Sequence, residues 1–548
     1  MGIPLYFKII SDRYPEIILE NIKNKDSLFL DLNCAIHPCC RKIIEEYNTK
    51  KNVSIETIES RMINETLNYI EKLVKLVKPK LLYIAIDGVA PCAKMNQQRL
   101  RRYKSVYEKE KHREINRKLG IPEKEFSWDT NAISPGTEFM NKLIKKINSE
   151  IKKNRIYDSI KVIFDDANSP GEGEHKIIRF IKNNINIKNN NNTNDLSGNI
   201  IIYGLDADLI MLSFVSHVNR IFLLREALQF GKPIINKFLY LDIDNLKYYI
   251  IKDIQDKILE QDPTIIFSTD KLFNLMDDYI FICFLVGNDF IPHLPSYGLR
   301  DNGLQNLLEI YIDLYVMYND NLINVKKNRI NNNFLKNYFK TLSCKENKLL
   351  RDMSNKRRRF KLNRTYKDEL DKEMDLLNMY PMLNQECEKY IDIGSKNWEP
   401  RYYSKCMKIF DKDDIEKACL NYITGLQWTF HYYFRGCVSW KWKYNYSYSP
   451  SSKDIYNYLN NNNINNIKFK NDNAVISTVQ LLYILPKSSI SLIPNKYKKL
   501  MGNDSELSDI YPSEYEIETY YKRYFWQCEP VLPLVDITRI VNSIKKIN

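Results

Sequence analysis

Four short apolar runs set the first limit on the fold. They are Ser27 to Leu32, Lys80 to Ile86, Ile160 to Phe164 and Asn199 to Tyr203. Each is too short for a buried helix and too continuously apolar for a half-exposed strand, so each reads as a strand covered on both faces. Between them lie stretches of helical periodicity, such as Ile55 to Val77 and Thr137 to Lys153. Strands and helices alternate to about residue 300. This predicts an α/β fold: a twisted, mostly parallel sheet flanked by helices.

Acidic residues stand where these runs end. Asp31 follows Leu28-Phe29-Leu30, and Asp87 follows Leu82 to Ile86. Glu172 and Glu174 lie in Ser169-Pro-Gly-Glu-Gly-Glu-His175, soon after the third run. Asp206 and Asp208 follow the fourth, and Asp289 ends a further run from Phe284 to Asn288, read in the same way. Open α/β sheets build their sites outside the carboxyl ends of strands, so these segments are predicted to share one crevice. A single such acid would only cap a turn. Seven in one crevice raise one another's pKa and require cations. A ligand set of oxygens, without Cys and with little His, suits Mg²⁺ or Mn²⁺. Two such ions together are suited to phosphodiester hydrolysis.

Composition narrows the setting. Lys and Arg exceed Asp and Glu by 82 − 68, a net charge of +14, which suits a polyanionic partner. The 11 cysteines show no CxxC pair and no zinc-like Cys/His spacing, so a reduced, intracellular protein without structural zinc is expected. No apolar run is long enough to span a membrane, no signal peptide opens the chain, and no membrane partner is expected.

Lys94 to Lys104 contains neither Gly nor Pro and is predicted helical, continuing toward Gly120. Lys94, Gln98, Arg101 and Arg102 stand at i, i+4, i+7 and i+8 and line one face. Three cations and an amide on one face form either a cradle for a terminal phosphate or an ordinary solvated surface.

These stretches together resemble the XRN-type 5′-to-3′ exoribonucleases, a branch of the flap-endonuclease-like (PIN-like) metal nucleases. The matching segments are MGIPLYFKIISDRYP, LFLDLNCAIHPC, IAIDGVAPCAKMNQQRLRR, SPGEGEHK, YGLDADLIML and LVGNDFIPHLP. The likeness resumes with WEPRYY, YITGLQWTFHYYFRGCVSWKWKY and LLYILP through FWQCEPVLPLVD. The resemblance implies that Asp31, Asp87, Glu172, Glu174, Asp206, Asp208 and Asp289 hold two Mg²⁺ ions. It also implies that Lys94, Gln98, Arg101 and Arg102 bind an RNA 5′-monophosphate. His37 resembles the residue that stacks on the 5′-terminal base, with Trp440 or Trp442 as its partner. The implied activity is processive 5′-to-3′ hydrolysis of single-stranded RNA to mononucleotides by a monomer.

Residues 1–345 are expected to form the nuclease domain, 346–395 a charged linker, and 396–548 a mostly helical, aromatic-rich region completing the pocket. The linker carries the basic run Lys356 to Lys361. Asn-rich segments at 183–194 and 460–471 read as exposed loops. Two departures from the family pattern concern the pocket wall: Cys92 stands where a basic residue is common, and Tyr444 to Pro450 replaces the usual Tyr-Pro and His-Tyr-Ala-Pro. The chain is expected to be a minimal catalytic core, its compartment open between cytoplasm and nucleus. The competing readings are a structure-specific flap endonuclease and an inactive RNA-binding scaffold. The first lacks a second conserved region, and the second predicts loss of metal ligands, whereas all seven acids are present.

Overall fold

The structure is a computed structural model describing residues 6–47, 53–122, 128–186, 198–229 and 232–547. Its centre is a seven-stranded sheet built from β1 (Ile18–Leu19), β2 (Ser27–Asp31), β3 (Leu81–Ala85), β4 (Lys161–Asp165), β5 (Ile200–Tyr203), β6 (Ile221–Gln229) and β7 (Lys232–Asp242). The order across the sheet is β1-β7-β6-β5-β2-β3-β4. The pairs β2–β3, β3–β4, β2–β5 and β5–β6 are parallel. Only β7 runs antiparallel, to β6 and to β1. From β2 the chain first builds outward through β3 and β4, then returns to β2's other side for β5. That reversal opens a crevice at the carboxyl ends of β2 and β5.

Every residue of β2 is buried. Leu28, Phe29 and Leu30 have no exposed surface, and burying each such side chain contributes about 1.5–3 kcal/mol. Helix Ile55–Val77 begins at Ser54, whose hydroxyl caps it by accepting from the Thr57 N–H. Helix Glu138–Lys153 is likewise capped by Thr137.

Three segments differ from expectation. Asp289 does not follow a strand: helix Thr269–Phe284 ends at the first residue of the run before it, and the rest of that run is a turn. Residues 346–395 are not a loose linker. Helix Asn332–Arg358 runs through position 346, helices Glu369–Leu383 and Glu386–Ile391 follow, and Arg357 forms a buried pair with Glu388 at 2.6 Å. The charge of the basic run is thus partly spent on internal packing. The Asn-rich segment near 465 is also docked: Ile464 is buried, and Asn465 Nδ2 donates to the Ile330 carbonyl at 2.8 Å. Of the other Asn-rich segment, 187–194 lies outside the described residues.

The C-terminal region shares its core with the sheet domain. Trp428, Phe430 and Tyr433 pack in one cluster with Phe29, Ile202 and Phe281. Leu481, Tyr483 and Ile510 pack against Val89, Cys92 and Met95 at the start of helix Cys92–Lys118. All eleven cysteines are free thiols. Among the described residues no helix is long and apolar enough to cross a membrane.

Candidate active site

The crevice at the carboxyl ends of β2, β3 and β5 gathers the predicted acids. Asp31 ends β2, and Asp87 lies two residues beyond β3. Gly173–Asn186 is a helix with Glu174 in its first turn, and Asp208 opens helix Asp208–Val215. Asp31, Glu172, Glu174 and Asp208 are all buried.

Neighbouring groups hold four of the carboxylates in place. The Gly173 N–H donates to Asp87 Oδ1 at 2.7 Å, and the Cys34 thiol donates to Asp31 Oδ2 at 3.1 Å. Tyr432 Oη donates to Glu172 Oε1 at 2.7 Å. Lys94 Nζ donates to Asp289 Oδ2 at 2.8 Å and pairs with Glu172. Gln97 reaches the other oxygen of Asp289 at 3.4 Å. A Cβ at Gly173 would lie 2.9 Å from Asp31 Oδ1, so a larger residue there would displace that carboxylate. Behind the acids, the buried Lys176 Nζ donates to the carbonyls of Ile86 (2.9 Å) and Asp166 (2.8 Å), tying together the ends of β3 and β4.

Crowding shows in the acidities. Burial, then Asp87, raises Asp31 from 3.8 to about 7. Burial, then Asp206 and Asp289, raises Asp208 from 3.8 to about 8. Glu174 is pushed well above its ordinary range by burial and by Asp208 and Asp206, and Asp87 is raised by burial and Glu172. Asp289 is the exception: burial opposes its charge, but Lys94 holds it well below the usual range.

Among the described residues no three acidic, imidazole or thiol groups stand as a closed metal-ligand set, and the Lys94 ammonium lies among them. The donor chemistry nonetheless fits hard divalent cations. Asp31 Oδ1 and Asp208 Oδ1 are buried without a hydrogen-bond partner, and the carboxylates' mutual repulsion is what a cation would relieve.

Helix Cys92–Lys118 leads directly away from the acids. On it, Arg102 is half-buried and donates from Nη2 to Ser134 Oγ at 2.9 Å, while its Nε and Nη1 are buried without partners. Burial, then the adjacent Arg101, lower Arg102 to about 9, and Asp129 opposes them only in part. Arg101 is exposed. Gln98 is buried, 3.4 Å from Gln480 Nε2, and Gln480 also accepts from the Ala90 N–H at 2.9 Å. His37 is exposed on helix Asn33–Tyr47; the protein around it, then Arg101, Arg102 and Arg41, lower it to about 4. It is a neutral ring beside the arginines.

The two tryptophans part company. Trp442 stacks on Trp428 with centroids 5.2 Å apart and closes over Gly425, where a Cβ would meet its ring at 3.0 Å. Trp440 is half-buried, with no aromatic neighbour among the described residues, and its carbonyl accepts the Cys92 N–H at 2.7 Å. Trp440 therefore sits at the start of the basic helix with its ring uncommitted.

Tyr432, Tyr433 and His175 went unmarked in the sequence. Trp442, Trp428 and Tyr432 form a continuous stack, and His175 lies 4.0 Å beyond Tyr432. Burial, then Asp208 and Glu174, raise the Tyr433 phenol well above its ordinary range. The aromatic density of YITGLQWTFHYYFRG was the available signal, but density alone reads as core.

Comparison with known proteins decides the family. Residues 1–227 match the family described as the XRN 5′-3′ exonuclease N-terminus, and residues 270–386 and 364–548 match the Xrn1 helical domain. The chain belongs to the XRN family. It is 30% identical to 5′-3′ exoribonuclease 1 of Schizosaccharomyces pombe, across 99% of this chain and 48% of that protein. It is 30% identical to 5′-3′ exoribonuclease 1 of Homo sapiens, across 100% of this chain and 34% of that one. The 5′-3′ exoribonuclease 2 homologue of Drosophila melanogaster is 29% identical, with 71% of its length covered. This XRN chain thus spans about half or less of the first two relatives.

Proposed function

We propose that the protein is a processive 5′-to-3′ exoribonuclease that hydrolyses single-stranded RNA bearing a 5′-monophosphate, using two Mg²⁺ ions. The observation that carries this reading is the continuity between a buried acidic cluster and two adjacent arginines on the helix leaving it, one of which keeps two buried donors without partners. An acidic crevice alone fits many hydrolases. An adjoining cationic cradle selects a substrate whose end is a dianion.

Asp31, Asp87, Glu172, Glu174, Asp206, Asp208 and Asp289 would hold the ions. When bound, divalent ions supply Lewis acidity to the attacking water and neutralise charge at the leaving oxygen. The protein's own residues do the positioning. Tyr432 fixes Glu172, the Gly173 N–H fixes Asp87, and Lys94 and Gln97 fix Asp289. Arg101 and Arg102, with Gln98 and Lys94, bind the 5′-phosphate and so set the first linkage over the acids. Nε and Nη1 of Arg102 have no partner in the protein and are left to donate to phosphate oxygens. His37 and Trp440 stack on the leading bases, which is tolerant of sequence because every base has a π-face. Each cut leaves a new 5′-phosphate, so the same cradle serves every cycle.

A 5′-phosphorylated RNA labelled at its 5′ phosphate tests this. The expected labelled product in Mg²⁺ is a mononucleotide from the earliest time points. A labelled oligonucleotide would instead identify an endonuclease, and binding without any product would identify a scaffold.

A further inference from the structure

One cavity lies against the face of helix Cys92–Lys118 that carries Asn96, Gln97 and Lys104, and a second adjoins it without touching that helix. The first, of about 280 Å³, is walled by Gln97, Arg101, Lys104, Asp289, Lys522 and Trp526 among others. The second, of about 360 Å³, is walled by Arg300, Lys356 and Arg523. They share Val286, His293, Tyr521 and Gln527, so they form one cleft. Each is near the lower end of roughly 300–1,000 Å³, the range of small-ligand sites.

The cleft begins at the acids, since Asp289 and Gln97 belong to its inner wall. Arg101 belongs both to the phosphate face of the helix and to the cleft. Further out, Lys356 is exposed, while Arg300 and Arg523 flank the Tyr524 ring at 5.2 Å and 5.7 Å. The first cavity also carries Glu529, but no carboxylate lines the second. Trp526 is 38% exposed and stacks on Tyr524, offering a ring face on the path.

A processive nuclease must discharge each mononucleotide while the remaining strand still occupies the way in. The product carries the 5′-phosphate that Arg101 held, so it starts beside the cleft's inner end. We propose that this cleft is a second binding site, for the released nucleoside 5′-monophosphate, and its route out. The cations draw the dianion outward, and Trp526 and Tyr521 receive the base. This rests on the exonuclease reading above.

The test uses the full chain and 5′-AMP, with adenosine as control. In EDTA, with saturating 5′-phosphorylated RNA filling the cradle, equilibrium dialysis should show one further AMP bound and no adenosine. The variant Arg300→Glu/Lys356→Glu/Arg523→Glu should lose that AMP. In Mg²⁺ it should make the first cut at the wild-type rate and slow later ones by about fivefold or more, as expected when product release limits turnover. Lys356→Glu alone, on an exposed side chain, should shift both readouts the same way by less. AMP displaced by RNA, or equal AMP binding by wild type and both variants, would overturn the proposal. So would a variant slowed at its first cut, which would make the cleft the RNA's way in. Failure of the wild type to release any nucleotide would count against the exonuclease reading instead, while the dialysis still reads the cleft.

Discussion

Arg99 and Arg102 lie three residues apart on one helix and serve opposite ends. Arg99 is buried: it donates from Nη1 to the Tyr483 carbonyl at 3.0 Å, bonds the Ile510 carbonyl, and lies over the Tyr103 ring. Arg102 keeps two donors unpaired. Arg99→Ala should therefore destabilise the fold by roughly 2–4 kcal/mol, by stranding two buried carbonyls and leaving a void. Arg102→Ala should leave unfolding unchanged but lower kcat/KM for 5′-monophosphate RNA by about 10–100-fold, the worth of a charged hydrogen bond. Denaturant unfolding and end-group-resolved kinetics separate the two. Tyr432→Phe removes only the hydroxyl that holds Glu172. It should cut kcat by about tenfold and raise the Mg²⁺ concentration needed for half-maximal rate, with little change in KM for RNA. An unchanged Mg²⁺ requirement would leave Tyr432 a packing residue.

The elements carrying these residues were unequally legible in the sequence. The helix from Cys92 was, because charge periodicity on an uninterrupted stretch needs no tertiary context. Asp31, Asp87 and Asp206 were legible because each follows a run too short and too apolar to be anything but a buried strand. The run before Asp289 was not, since it is the buried end of a helix followed by a turn, and a short apolar run of that kind cannot be told from a strand by periodicity. The same blindness covered the segment after residue 345, where Arg357 reads as solvated charge until Glu388 is seen to meet it. Trp440 and Trp442 could not be told apart because both lie in one irregular stretch whose packing is set by helix Lys412–Phe434. Trp442→Ala should cost about 2–4 kcal/mol of stability, as loss of a packed ring does. Trp440→Ala should leave stability intact and weaken RNA binding by about 5–100-fold, the worth of one stacked base. Thermal unfolding and RNA titration in EDTA check both.

Across the whole molecule, the buried acids make stability depend on pH and on divalent metal together. Asp31 and Asp208 rise from 3.8 to about 7 and about 8. A carboxyl with a raised folded pKa keeps its proton when the unfolded chain has lost it, so its stabilisation is complete below pH 4 and lost as pH rises toward 8. Without metal, then, this site weakens the fold as pH climbs through that window. A cation bound to the deprotonated acids reverses the effect. Mg²⁺ should therefore raise Tm more at pH 8 than at pH 6, at about 1 °C per kcal/mol for a single transition of a chain this long. Asp206→Ala/Asp208→Ala should abolish that difference. Because the C-terminal region shares its core with the sheet domain, one cooperative transition should report it.

The most direct test of the central claim uses one 3′-labelled single-stranded RNA prepared with a 5′-monophosphate, a 5′-hydroxyl or a 5′-cap. Each is incubated with Mg²⁺ or EDTA, using the wild type and Asp206→Ala/Asp208→Ala. The account predicts rapid, Mg²⁺-dependent loss of the monophosphate RNA alone, abolished in the double variant. Equal decay of all three RNAs, or decay of the monophosphate RNA that survives EDTA or the double variant, would contradict it.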